Sequence, residues 1–167
     1  MKNSYFLGVS LLVITILLSD MNLFVPNGKT LESREKILKN SKTKKYVYEI
    51  YKEIELHDYI ISSVYGNKDG LAVFKENEGN YELQSVTYEE KGEVIIEKIM
   101  HKGESYYITT CNQPNLDYAE VTYTINNQEL EPVSYDVSKS NLISFKAPSD
   151  DFTMKIIYYD KDGNSFD

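Results

Sequence analysis

The chain has 167 residues, with 26 acidic against 18 basic side chains and a formal net charge of −8. That balance argues against nucleic acid as a partner, because contacts to phosphate drive such affinity. One cysteine allows no internal disulfide, and the two histidines have no partner at ligand spacing, which leaves no local motif for a metal centre.

Residues 5–18 carry no charge, and their only polar members are Tyr5, Ser10 and Thr15. A run of this length matches a signal-peptide core. Extended through Val25 it becomes long enough to span a bilayer at ~1.5 Å per residue. Asp20 would cost roughly 2.5–3.5 kcal/mol at the centre of a membrane helix, but it sits towards the end of the run, where the cost is smaller. Pro26, Asn27 and Gly28 then stop it. Small residues at a cleavage site are poorly matched at 17–19 and at 26–28, and no cysteine stands near the run to carry a lipid. The expectation is an uncleaved single-pass anchor over residues 5–25. A cleaved signal, giving a secreted protein, is the alternative, and an ordinary buried helix is the bland reading. Lys2 precedes the run and Lys29, Arg34, Lys36 and Lys39 follow it, so positive-inside bias alone would keep the following part in the cytoplasm. Long folded domains translocate largely regardless of such charges, so an extracytoplasmic domain is expected.

Residues 29–52 hold eight basic and three acidic side chains, net +5, whereas residues 53–167 are net −13. An acidic domain thus follows a basic stem, and basic residues beside anionic lipid are each worth roughly 1 kcal/mol. Both surfaces are equally readable as plain solvated faces. Thr30 followed by Leu31 and Glu32 predicts a helix start with a hydroxyl cap. Ser33 occupies the position where a capping box needs Glu or Gln. The helix is expected to be a loosely packed or flexible stem, because residues 31–45 carry only Leu31, Ile37 and Leu38 as apolar members. Residues 46–56 fit either a helical face through Val47, Ile50 and Ile54 or an alternating strand broken at Lys52. The reading taken is helix to about Glu53 and strand afterwards.

From Ile54 onward, β-formers alternate with turn residues. Strands are expected over 58–65, 71–75, 81–88, 94–100, 106–111, 119–125, 130–137, 142–146 and 152–159, with a last short one at Ser165 and Phe166. Turns fall at 66–70, Glu78 to Asn80, Lys91 and Gly92, Lys102 and Gly103, and Asn126 and Asn127. Eight to ten short strands argue for an antiparallel β-sandwich-like domain. The predicted organisation is therefore mainly β: 1–28 a signal-anchor segment, 29–53 a basic helical stem, and 54–167 an acidic β-rich extracytoplasmic domain.

Little catalytic chemistry is visible. His57 and His101 would have to converge in space, with Cys111, to hold a metal, and surface imidazoles are the simpler reading. Cys111 ends a predicted strand on the face of Tyr107 and Thr109, opposite Ile108 and Thr110, and reads as a buried inert thiol. There is no Gly-x-Ser-x-Gly elbow and no Gly-rich phosphate loop. Asp160, Asp162 and Asn164 lack the further oxygen ligands of a calcium loop, since Tyr158 stands where one is needed, and they read as a β-turn. No catalytic, cofactor-binding or metal residue is assigned. The fifteen tyrosines are unusual. In the pairs Tyr106–Tyr107 and Tyr158–Tyr159 one ring is expected in the core and the other on the surface. Exposed tyrosines suit contact surfaces, though they also suit ordinary sheet faces.

The layout as a whole comprises a short Lys-bearing start, an Ile/Leu/Val run, a charged helix, then an acidic Tyr-rich β domain ending in YYDKDGNSF. Lysine-rich, arginine-poor composition fits an AT-rich genome. This layout resembles the small uncharacterised membrane-anchored or secreted proteins of low-GC Gram-positive bacteria. The resemblance implies a location and transfers no functional residues. The leading expectation is a non-enzymatic extracytoplasmic interaction module anchored at the cell membrane, with a protein or peptide partner and no cofactor. The rivals are a protective, immunity-type protein that binds cationic peptides through its acidic surface, and a small enzyme centred on Cys111 and a histidine.

Overall fold

Twelve antiparallel strands and one helix make up residues 26–41 and 48–167, the part of the chain described by the computed structural model. The expected anchor over residues 5–25 lies outside these residues. Among the described residues no helix is long and apolar enough to cross a membrane.

Helix α1 (Leu31–Asn40) starts where its cap predicts, with Thr30 Oγ1 accepting from Ser33 N at 3.2 Å. The Ser33 hydroxyl accepts in turn from Gly28 N at 2.8 Å. The helix is not a loose stem. Leu38 and Arg34 are buried against the first sheet, and the Arg34 guanidinium grips both carboxylate oxygens of Glu53 while donating to Gly28 O at 2.6 Å. Tyr81 N donates to Asn27 O at 2.8 Å, which ties the chain entering the helix to the sheet. Gly28 is required there. Its φ is +70°, and a Cβ would lie 2.1 Å from Tyr81 O.

The predicted helix through Glu53 is a strand. β1 spans Tyr48–Leu56 and pairs antiparallel with β2 (Tyr59–Gly66). The register slips by one residue between Ile50 and Lys52, leaving Tyr51 as a bulge. Before the bulge, Tyr48 and Ile50 join the core under α1; after it, Ile54 and Leu56 join the core on the opposite face. A bulge reverses the phase of alternation. Ile50 and Ile54, four apart and so able to share a helical face, therefore lie on opposite faces of the strand.

β1 and β2 continue through β3 (Asp69–Asn77) and β4 (Asn80–Glu89) as a four-stranded meander in sequence order. β5 (Val94–His101) and β6 (Glu104–Cys111) form a hairpin, to which β10 (Leu142–Lys146) adds on the β6 side. The third sheet is built on β7 (Leu116–Ile125), which pairs with β11 (Thr153–Asp160) on one side and with the short β8 (Gln128–Glu129) and β9 (Val133–Asp136) on the other; β12 (Ser165–Phe166) follows β11. The strand expected over 130–137 is thus shortened to β9, with β8 lying before it. Pro132 lies in the gap, and proline has no N–H for the ladder. Two-residue turns with consecutive positive φ close three hairpins, at Glu78–Gly79, Lys102–Gly103 and Asn126–Asn127.

Among the described residues, three apolar cores follow from the pleat. Leu38 of α1 packs with Tyr48, Ile60, Val64, Ala72 and Phe74. On the other face of the meander, Ile61, Leu71 and Val73 meet Ile95, Ile99, Ile108 and Leu142. The third core joins Cys111, Ile143 and Phe145 to Ala119, Val121, Tyr123, Ile156 and Tyr158. β6 and β10 therefore supply side chains to two cores. For this reason Tyr106 and Tyr107 do not divide into one core and one surface ring: Tyr106 packs against the second core and Tyr107 against the third, both half-buried. Tyr158 and Tyr159 do divide, with Tyr158 fully buried and Tyr159 half-buried and stacked on Tyr118.

Candidate functional site

The β4–β5, β6–β7, β9–β10 and β11–β12 connections converge at one end of the strands around a cleft of about 670 Å³. Polar loop sequences build it. Asn112, Gln113, Pro114 and Asn115 leave β6, and Ser138, Lys139, Ser140 and Asn141 precede β10. Lys161 N donates to Asn115 O at 3.1 Å and Val137 N to Asp117 O at 3.0 Å, which fastens the loops to one another. Tyr51, thrown outward by the β1 bulge, and Tyr65 of β2 form one rim as an edge-to-face pair with centroids 6.2 Å apart. The Tyr65 hydroxyl donates to Glu49 Oε2 at 2.6 Å, and this bond raises its pKa above the usual tyrosine range.

Beneath the cleft lies a buried polar cluster. Ser63 Oγ donates to Asn112 Oδ1 at 3.0 Å and accepts from Asn141 Nδ2 at 3.1 Å, and Asn141 Nδ2 also donates to Asn112 Oδ1. Asn141 is 7% exposed, and its Oδ1 accepts from no group among the described residues. A buried acceptor without a donor costs roughly 1–3 kcal/mol, so folding alone does not favour this amide here. The Asp69 carboxylate, also buried, accepts from Gly92 N at 2.7 Å and fixes the β4–β5 turn. Cys111 Sγ donates to Gly92 O at 3.5 Å. Burial, reinforced by the nearby Asp69 charge, pushes the Cys111 thiol up to about 11. The thiol is wholly buried and protonated at neutral pH, the opposite of what a nucleophile needs.

The two histidines do meet, though without Cys111. His57, in the β1–β2 turn with φ +57°, stacks on His101 at the β5–β6 turn with ring centroids 4.1 Å apart and planes 5° from parallel. His101 Nδ1 lies 2.8 Å from Asp58 Oδ1, and Tyr106 packs edge-on to His57. Cys111 pairs with Val94 at one end of the β5–β6 ladder and His101 with Glu104 at the other. That separation is ~23 Å at ~3.3 Å per residue. No Cys–His dyad is formed, and among the described residues no group of three or more His, Cys, Asp or Glu is arranged to hold a metal.

The Asp160 segment is the turn its spacing predicted. Asp160 Oδ1 accepts from Asp162 N and Asn164 N, both at 2.9 Å, and Asn164 Nδ2 donates to Oδ2 at 2.8 Å. The Asn164 side chain leads the bonds that hold this carboxyl below the usual aspartate range. Its oxygens are occupied by the turn itself. What sequence reading missed was the cleft. The signal present was the concentration of amide, hydroxyl and lysine residues in connections that the hairpin registers bring to one end. Comparison with known proteins finds no matching family model, no matching curated protein and no matching solved structure.

Proposed function

We propose that this chain is a non-enzymatic extracytoplasmic interaction module held at the cell membrane through residues 5–25, and that the loop-end cleft is where it engages its partner. The cleft is the observation that carries the reading. It is a concave, partly polar site of ligand size, built by loops from separate strands on a sheet scaffold. Its lining contains hydroxyls, amides and lysines but no histidine, and the nearest thiol is buried and protonated. The sandwich-like stacking of the sheets belongs to the same reading, supported by β6 and β10 contributing to two cores. The membrane location rests on the uncharged run of residues 5–18.

The test is the intact mass of a C-terminally tagged protein from membrane and medium fractions, combined with protease shaving of cells and protoplasts. Full-length protein in the membrane, digested from outside, is the expected result. A shortened species in the medium would replace the anchor by secretion, and resistance in protoplasts would contradict the proposal. A second reading, sequestration of cationic peptides, is favoured by the net −13 of residues 53–167. It requires peptide affinity that falls steeply with salt.

A further inference from the structure

We infer that the cleft takes a polyhydroxylated anion, a sugar or polyol bearing a phosphate or carboxylate group; this rests on the reading of the cleft as the binding site. The cleft is electrostatically at odds with the domain around it. Residues 53–167 are net −13, yet among the described residues the cleft lining carries Lys91, Lys139 and Lys161 against one acid, Asp69. Asp69 is buried and occupied by Gly92 N. The three lysines come from three different connections, are all exposed, and form no ion pair among the described residues. Asp136, an acid whose charge interacts with Lys139, is engaged by Ser138 N at 2.9 Å and Ser138 Oγ at 2.6 Å. Ammonium groups that line one cleft without ion-pair partners among the described residues repel one another and are relieved by a bound anion.

The remainder of the lining selects the rest of the ligand. Of the lining amides, Asn112 is engaged at both ends by Ser63, Asn141 and Val64 O, and Gln113 Nε2 donates to Gly92 O, which leaves the exposed Asn115 amide and the Gln113 carbonyl oxygen to meet ligand hydroxyls. Tyr51, 58% exposed at the rim, offers an aromatic face to the C–H surface of a sugar ring. An apolar peptide finds little here, since the lining aliphatics Leu116 and Val137 are buried.

The experiment is a calorimetric and NMR titration of the full chain in detergent micelles with glucose 6-phosphate, glucuronate and glycerol phosphate, alongside glucose and inorganic phosphate. The inference expects at least one of the three polyhydroxylated anions to bind more tightly than either glucose or phosphate, with shifts at the cleft and affinity that falls with salt. Replacing Lys91, Lys139 and Lys161 together by Gln is expected to weaken that binding about 100-fold, about tenfold for a single lysine, with the melting temperature unchanged. Inorganic phosphate binding as tightly as the sugar anions would overturn the hydroxyl half of the inference. Glucose or a cationic peptide binding the cleft with the lysines irrelevant would overturn the inference and leave the binding-module reading standing. No shift at the cleft with any of these probes would overturn both.

Discussion

Arg34 is the chain's single arginine, and its planar fork is used where a lysine would not serve. It bonds both oxygens of Glu53 and a backbone carbonyl from a site 6% exposed. Arg34→Leu leaves the part-buried Glu53 carboxylate without its cationic partner and is expected to cost about 3 kcal/mol, and Arg34→Lys is expected to recover only part of it, both measured by chemical denaturation. Cys111 gives a pH signature. Its thiol is neutral in the folded state up to about 11, above the ordinary 9.0, so the unfolded chain releases its proton first as pH rises. The associated stability is complete below about 9 and is lost progressively towards about 11. Stability measured across that window should fall for the native chain and fall less for Cys111→Ala. The same burial should keep Cys111 inert to thiol reagents until the chain unfolds. The His57–His101 stack calls for a double-mutant cycle, in which alanine at both positions should reveal a coupling of about 0.5–1.5 kcal/mol.

The β1 bulge shows where local sequence reading fails and why. Alternation locates a strand only while its phase holds, and the extra Tyr51 moves the apolar residues of β1 from one face to the other. Deleting Tyr51 makes Lys52 follow Ile50 directly, which keeps Glu53 on the helix face and Ile54 and Leu56 on the opposite one, so the near-ultraviolet circular dichroism of the folded chain should survive; inserting a second residue after Tyr51 should flip Ile54 and Leu56 and abolish it. α1 failed differently. Its start was legible from Thr30, but its docking was not, because one buried Leu38 and one buried Arg34 amid charged residues leave no apolar stripe. Gly28→Ala tests that docking. A side chain there meets Tyr81 O and is strained at φ +70°, so a loss of about 2 kcal/mol or more is expected in denaturation. The β3–β4, β5–β6 and β7–β8 hairpins were legible because their turns carry Gly or Asn where φ is positive, at Gly79, Gly103 and Asn126.

Across the whole molecule, β6 and β10 couple the cores. Ile108 and Leu142 face the meander while Cys111, Ile143 and Phe145 face β7 and β11. Calorimetry should therefore show one unfolding transition, shifted as a unit by Ile108→Ala at a cost of about 2–5 kcal/mol; two separable transitions would refute the coupling. The cleft was illegible in sequence for a related reason. Its lysines and amides lie on connections far apart in the chain, and only the strand registers bring them to one end, away from the histidine stack. That end should be the working end. The most direct measurement places a photo-crosslinking amino acid in intact cells either at Lys139, on the cleft, or at Glu78, in the β3–β4 turn, and reads the intact mass after irradiation. A discrete mass increase from position 139 alone is the expected result. Equal labelling from both positions, or labelling from position 78 alone, would contradict the assignment of the cleft as the binding site.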